Sequence, residues 1–211
     1  MSRRIWGILG IIAGLAGPVR ADVVSPDSSY IRVTFTGANA TAQSQFPPTK
    51  YLTIAPDGSG ETLTSIGVLI EVWVKNALGV GIVGVPAGTI LLFSSALCIC
   101  QGGNNADFAT IQGGYTKFTG TIRGGGCASS LVVWVSGVPI GTTSGLNNVA
   151  VNSWDHVPSS PCFVDAGDLA ALAPRLGAPA NYTICSDFNE DGFIDAGDIA
   201  SFAQHLGAAC N

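Results

Sequence analysis

A twelve-residue stretch near the C-terminal end of the sequence has the ligand spacing of a calcium loop. Ca²⁺ prefers about six to eight oxygen ligands, and a short loop can wrap the ion when alternate side chains point inward. Residues 187–198, DFNEDGFIDAGD, carry oxygen-bearing side chains at positions 1, 3, 5, 9 and 12, and a Gly at position 6 for the sharp turn. The alternative is an Asp-rich turn that caps a helix. The predicted calcium ligands are Asp187, Asn189, Asp191, the Phe193 carbonyl, Asp195 and Asp198.

An incomplete copy of this stretch lies thirty residues earlier. Residues 163–170 read FVDAGDLA, and residues 193–200 read FIDAGDIA. In the earlier copy Asp165 and Asp168 match positions 9 and 12, whereas Asp155 serves as position 1 only in a loop that is two residues longer. Proline and valine stand where further ligands are needed. We therefore expect a structural loop held by packing, and metal binding there is the open alternative.

An apolar stripe at helical spacing follows each loop, and each stripe ends at the tripeptide LGA, whose Gly is placed as a helix C-cap. Pro174 lies inside the first predicted helix and should shorten or kink it. The sequence thus predicts two loop–helix units, residues 155–177 and 187–207, with a period of 30 residues. The stripes consist of Leu169, Leu172 and Leu176 in the first unit and Ile199, Phe202 and Leu206 in the second.

The duplicated loop–helix pattern, with Asp at position 12 and no helical pattern before the loop, resembles a type I dockerin module. The resemblance covers about residues 152–210 and implies two calcium-binding units that dock onto cohesin domains. A cohesin-like protein is then the expected partner. Dockerins that bind cohesins usually carry hydroxyl residues at loop positions 10 and 11, where both copies here have Ala-Gly. This difference leaves open another partner, or packing on the preceding domain.

Upstream of the repeats, apolar stretches such as YIRVTF, GVLIEVWVK and SLVVWVSGVPI are separated by turn signals such as APDGSGE and KNALGVG. This spacing predicts an all-β sandwich. The segments VWVKNALGVGIVGVPAGTILLF and TIQGGYTKFTGTI resemble bacterial Ig-like domains of the invasin type, over roughly residues 50–140. The predicted fold class is mainly β. An Ig-like β-sandwich over residues 22–151 precedes a small α-helical, dockerin-like module over residues 152–211.

The first residues have the pattern of a secretory signal peptide. A basic SRR, an apolar run of thirteen residues and the small-residue site VRA predict a signal peptide over residues 1–21. The alternative is an uncleaved membrane anchor. Cleavage leaves six basic against fourteen acidic residues, a net charge of −8. An acidic chain without a basic cluster is a poor nucleic-acid binder. The expected location is secreted or cell-surface, with membrane contact only through the signal peptide before its cleavage.

Export favours disulfides for the six cysteines. Three cysteines in the β region and three in the tail require at least one bridge between the two parts if all are oxidised within one chain. We expect one bridge from Cys98 or Cys100 to Cys127, and one bridge within the tail. The tail cysteines are Cys162, Cys185 and Cys210.

No catalytic motif accompanies these features. Neither histidine lies in an HExxH sequence, there is no GxSxG, and Asp107 is the only acid between residues 72 and 154. Glu71 is expected to point outward from its strand. A glycosidase needs two positioned carboxylates, so a small hydrolase is disfavoured and no catalytic residue is predicted.

The predicted function is therefore that of a secreted, non-catalytic, calcium-binding interaction protein whose tail docks onto another protein. The alternative is a carbohydrate-binding component of an extracellular assembly that degrades polysaccharides. Trp73, Trp134 and Trp154 would then supply stacking surfaces for sugar rings.

Overall fold

The computed structural model describes residues 23–36, 51–141, 149–157 and 161–211, so the signal peptide predicted over residues 1–21 lies outside the described residues. The described chain is mainly β, as predicted. None of its helices is both long and apolar enough to cross a membrane. The strands are β1 (Tyr30–Phe35), β2 (Tyr51–Ile54), β3 (Val68–Trp73), β4 (Ile90–Phe93), β5 (Leu97–Ile99), β6 (Tyr115–Phe118), β7 (Gly124–Gly126), β8 (Val132–Val135), β9 (Val138–Ile140) and β10 (Ala150–Ser153).

These strands form several small sheets. Two three-stranded antiparallel sheets have the orders β1-β3-β6 and β4-β8-β9. Strands β5 and β7 form an antiparallel pair, and β2 and β10 form a parallel pair. The strands are short because glycine-rich turns interrupt them, as the sequence predicts.

The main core follows the alternation of the strands. In β3, Val68, Ile70 and Val72 are buried in one hydrophobic cluster with side chains from the other sheets. Glu71 alternates with them and lies on the outer face, as expected, yet it is only 8% exposed. Arg32 covers it, with Nη2 2.6 Å from Oε2, and the Tyr115 hydroxyl donates to Oε1 at 3.3 Å.

The C-terminal units contain two α-helices, α1 (Ala166–Leu172) and α2 (Ala196–His205). Helix α1 is shorter, and a 3₁₀ turn over Ala173–Arg175 follows it, because Pro174 cannot continue the α-helical hydrogen bonding. Both C-cap glycines have a positive φ, 63° at Gly177 and 90° at Gly207, as predicted. Further 3₁₀ turns span Pro179–Asn181 and Ile184–Ser186 here, and Ala87–Thr89 and Gln112–Gly114 in the β region.

A second hydrophobic cluster holds these units together. The predicted stripes are too wide, because Leu169, Ile199 and Leu206 are exposed. Each helix instead buries one large side chain, Leu172 in α1 and Phe202 in α2, against residues from both loops. The complete cluster consists of Ala55, Trp154, Val164, Leu172, Phe188, Ile194, Phe202 and Ala208.

The disulfide prediction is wrong in its pairing. All three bridges join the β region to the tail, and no bridge lies within either part. The physical reason is tertiary: the cysteines of the β region lie on or beside the β5–β7 pair, and the tail packs against that edge. Each cysteine of the β region therefore lies within bonding distance of a tail cysteine. The bridges are Cys98–Cys162, Cys100–Cys210 and Cys127–Cys185.

Digestion of the oxidised protein without reductant should therefore release only peptides that link the two regions. Removal of the longest bridge, by Cys100→Ala with Cys210→Ala, should lower the free energy of unfolding by about 2–4 kcal/mol, because it frees a long loop in the unfolded chain. Mass spectrometry and denaturant unfolding measure these outcomes. A peptide that joins Cys127 to Cys98 or Cys100 would contradict the arrangement.

Candidate metal centre

The loop over residues 187–198 folds around its first carboxylate. The Asp187 side chain is buried and accepts backbone N–H bonds from Asp191 at 3.2 Å and from Gly192 at 2.9 Å. Gly192 has a φ of 89°, a backbone conformation that other residues rarely adopt. The sharp turn predicted at position 6 is therefore present.

The other end of the loop closes through the start of α2. Asp195 is the N-cap of the helix, and its Oδ1 accepts from the Gly197 N–H at 2.7 Å. Asp198, which is fully buried, accepts from the Asp195 N–H at 2.8 Å and from the Phe188 N–H at 2.6 Å. One carboxylate in the first turn of the helix thus ties the end of the loop to its beginning.

The middle of the loop is more exposed. Asp191 Oδ1 accepts from the Phe193 N–H, and Asp191 Oδ2 accepts from Asn189 Nδ2, both at 2.9 Å. The side-chain oxygens of the predicted ligands are therefore hydrogen-bonded to N–H groups of the same loop. Within the described residues, no three ligand atoms from His, Cys, Asp or Glu of this loop lie within 4.8 Å of one another; the groups that do contain disulfide-bonded cysteines.

Negative charge accumulates in this loop. Among the described residues the ion pair found is Arg32–Glu71, so Asp187 and Asp198 are buried without a salt-bridge partner. Burial raises the pKa of Asp198, and the charge of Asp187 adds to this effect, whereas backbone N–H donors oppose it. The Tyr182 hydroxyl donates to Asp187 Oδ2 at 2.8 Å, and burial together with this bond raises the pKa of Tyr182. Carboxylate, amide and carbonyl oxygens suit a hard cation such as Ca²⁺.

The incomplete copy keeps the same helix start but not the ligands. Asp165 caps α1 and accepts from the Gly167 N–H at 2.6 Å. Asp168 accepts from the Asp165 N–H at 2.9 Å and from the Val157 N–H at 2.8 Å. Positions 9 and 12 therefore have the same hydrogen-bonding roles in both loops, so these two matched acids are explained by helix capping without an ion.

Asp155, the candidate for position 1, is fully buried in a different environment. Its Oδ2 accepts from the Phe163 N–H at 3.1 Å and lies 3.3 Å from the Cys98 sulfur, whereas its Oδ1 has no hydrogen-bond partner among the described residues. The carboxyl lies so close to Gly125 that a Cβ there would overlap it. Burial, followed by repulsion from Asp168, raises the pKa of Asp155 to about 7.

Two sets of contacts, made by the residues just before the loops and by His156, were not predicted. Arg175, from the first unit, places Nη1 2.6 Å from both the Ser186 Oγ and the His156 Nε2. Burial, then the charge of Arg175, lowers the pKa of His156, so its ring is a neutral acceptor for the guanidinium.

Trp154, just before the first unit, donates from Nε1 to Ser201 Oγ of α2 at 3.0 Å. Its ring stacks on the His205 ring, with the two ring centroids 3.4 Å apart. His205 is therefore partly covered. The residue before each loop thus contacts the helical segment of the other unit. Arg175 and His205 lie 30 residues apart, which is the period of the repeat, and this offset is the sequence signal that could have indicated these matching contacts.

Comparison of the chain with known protein families, with characterised proteins and with solved structures finds no match.

Replacement of Asp155 by Asn should change how stability depends on pH. The ordinary pKa of this carboxyl is 3.8, and burial raises it to about 7 in the folded protein. The folded state therefore binds the proton more tightly, and the free energy of unfolding falls as the pH rises from about 4 through about 7. Asp155→Asn keeps an acceptor for the Phe163 N–H without this penalty. It should be more stable than the wild type at about pH 8, by up to about 4 kcal/mol.

Denaturant unfolding between about pH 4 and pH 8 measures this difference, which should shrink as the pH falls. Asp27→Asn, at an exposed position, controls for the loss of one negative charge. A variant that is less stable than the wild type at the alkaline end would show that the Asp155 carboxylate has a cationic partner.

Proposed function

We propose that this chain is a secreted, non-catalytic protein that binds one Ca²⁺ in the loop over residues 187–198 and docks onto another protein through its C-terminal repeats. The observation that carries the proposal is the buried pair Asp187 and Asp198, which holds both ends of one loop without a salt-bridge partner among the described residues. A divalent cation relieves the repulsion between such carboxylates, so its binding stabilises the folded loop. The three disulfides fit the oxidising environment that secretion provides.

In this proposal the ion is held by the Asp187, Asn189, Asp191 and Asp198 side chains and the Phe193 carbonyl, with Asp195 acting directly or through water. Side chains now bonded to backbone N–H groups, such as Asp191, turn towards the ion when it binds. The first loop is expected to stay free of metal because Asp165 and Asp168 cap helix α1 and Asp155 is enclosed against Gly125 and Cys98.

Exposed apolar side chains at repeated positions support the docking role. Phe163 and Phe193 occupy the same position in the two loops, and Leu169 and Ile199 occupy the same position in the two helices. All four are exposed. Exposed apolar groups that recur with the repeat favour a surface that a partner covers. A cohesin-like protein is the partner class that the resemblance implies, and the small Ala-Gly positions in both loops favour a partner without polar contacts there.

Isothermal titration calorimetry of the mature, oxidised chain with CaCl₂ tests the metal site. We expect a stoichiometry of one, and Asp191→Asn should weaken binding by about tenfold or more, because it removes an anionic ligand. Asp165→Asn is the matched control, since it alters the corresponding acidic region of the first loop, and it should leave calcium binding unchanged.

Two equal sites would show that the first loop also binds metal. Absence of heat, together with a melting temperature that a chelator does not change, would contradict calcium binding altogether.

A carbohydrate-binding role is the second candidate, and one surface favours it. The three tryptophans do not share a surface: Trp154 is buried in the tail, and Trp73 lies on the β1-β3-β6 sheet between the Tyr30 and Tyr115 rings. Trp134 lies on the β4-β8-β9 sheet beside the partly exposed Phe93, with ring centroids 5.7 Å apart. The half-buried Trp134 and the exposed Phe93 together present aromatic surface that can stack against the apolar face of a sugar ring.

If this second candidate is right, the protein should be retained on an insoluble polysaccharide such as cellulose or chitin, and Trp134→Ala should reduce retention. Trp73→Ala should not reduce retention, because Tyr30 and Arg32 already cover the Trp73 ring. Pull-down with the insoluble polymer measures both. Equal retention of the two variants would exclude Trp134 as the binding residue.

A further inference from the structure

The two C-terminal units are related by a pseudo-twofold repeat that extends to backbone hydrogen bonds. In each unit the C-cap glycine donates to a carbonyl of the other unit's loop. The Gly207 N–H donates to the Val164 carbonyl, and the Gly177 N–H donates to the Ile194 carbonyl, both at 2.9 Å. Val164 and Ile194 share one hydrophobic cluster, and their carbonyls accept from these glycines rather than from each other.

The repeat breaks just beyond the glycines. The segment after Gly207 runs in an extended conformation beside the first loop. The Val164 N–H donates to the Ala208 carbonyl at 2.9 Å, and the Cys210 N–H donates to the Cys162 carbonyl at 3.4 Å. Phe163 and Ala209 form an antiparallel bridge between these bonds. The Cys100–Cys210 disulfide fixes the strand in place.

The segment after Gly177 does not pair with the second loop in the equivalent way. The Ala178 carbonyl, which corresponds to that of Ala208, accepts instead from the Asn181 N–H at 2.8 Å. Pro179 causes this change because its fixed φ starts the 3₁₀ turn over Pro179–Asn181. The Ile194 N–H, which corresponds to that of Val164, therefore donates to no acceptor within the described chain.

A cleft of about 420 Å³ lies where the missing strand would run. It lies between the loop residues Gly192, Phe193 and Ile194 on one side and the segment around Ala178 on the other. The Tyr182 and Phe193 side chains also line it; they are 42% and 66% exposed, and neither ring stacks on another aromatic ring of the described residues. The cleft is therefore mainly apolar and open to solvent, and Arg175 and Asp195 also line it.

We propose that this cleft binds an extended peptide segment of a partner protein, with small apolar side chains, as a strand antiparallel to residues 192–194. The template for this strand is the segment Gly-Ala-Ala-Cys of residues 207–210, which lies beside the first loop at the corresponding position. In the bound state the Ile194 N–H donates to a peptide carbonyl, and a peptide N–H donates to the Gly192 carbonyl. Tyr182 and Phe193 cover the flanks of the strand.

The occupant belongs to another protein because the chain's own equivalent segment is already used. Residues 207–210 pair with the first loop and are held by the disulfide at Cys210. An unsatisfied backbone donor on an open edge favours strand addition, in which main-chain hydrogen bonds supply affinity and small pockets supply selectivity. The corresponding position in the first loop holds the segment Gly-Ala-Ala-Cys, which favours a peptide with small apolar side chains.

The proposed peptide segment rests on the docking part of the proposed function, whereas the calcium site is tested by its own titration. Peptide binding and metal binding are separate titrations of the same protein, so each proposal can fail while the other stands.

Fluorescence anisotropy of a labelled peptide tests the proposal. The probe is the sequence of residues 205–211 with Cys210→Ser, added to the oxidised, mature protein in saturating calcium. We expect saturable binding. A peptide that is N-methylated at the position of Cys210 lacks the N–H that would donate to the Gly192 carbonyl. It should bind about tenfold more weakly or worse.

Phe193→Ala should weaken binding about tenfold, because it removes an exposed ring that the peptide covers but keeps the Phe193 carbonyl of the loop. Phe163→Ala is the matched control: it removes the equivalent ring beside the slot that is already filled, and it should leave binding unchanged. Circular dichroism and calcium titration confirm that both variants are folded.

The proposal is overturned if the wild type shows no saturable binding, if the N-methylated peptide binds equally well, or if Phe163→Ala and Phe193→Ala have equal effects. Binding of an oligosaccharide that requires Phe193, without peptide binding, would assign the cleft to a different ligand class and also overturn it.

Discussion

Three covalent links between the β region and the C-terminal repeats determine how the rest of the molecule is arranged. The repeats bury few large apolar side chains, and a core of that size gives little stability to an isolated unit of about 60 residues. Attachment at three points along the β5–β7 pair lets the second cluster include Ala55, from the β region, and Trp154, which follows β10. The tail is thus folded against a scaffold, and its two loops are held in place before any ligand binds.

The two loops show how one sequence pattern can satisfy different electrostatic conditions. Asp168 and Asp198 have the same role, since each joins its helix start to an earlier part of its loop. What differs is the charge that accompanies them. In the second loop the buried Asp187 lies close enough to Asp198 for its charge to raise the pKa of Asp198 further. In the first loop burial raises the pKa of Asp155 to about 7, so this carboxyl carries less negative charge near neutral pH than an exposed carboxyl.

Local features were predictable from the sequence, and non-local ones were not. The 30-residue period, the C-cap glycines, the effect of Pro174 and the strand-rich region all follow from neighbouring residues. The disulfide pairing did not follow, because it depends on which sheet edge the tail covers. Likewise, the exposure of Leu169 and Ile199 depends on how closely the two units approach each other. Asp155 resembled a weak calcium ligand in sequence, and only its position against Gly125 and Cys98 shows that it is enclosed by protein.

The Cys100–Cys210 bridge also determines how the protein responds to mechanical tension. A pull on the chain beyond Cys210 passes directly through this covalent bond to the residue that follows β5. The intervening sequence, which spans a separation of 110 residues and contains both loops and both helices, lies outside the path of the force. The repeats would then keep their fold under loads that unravel an ordinary terminal domain, and reduction of this one bond would expose them to the full tension.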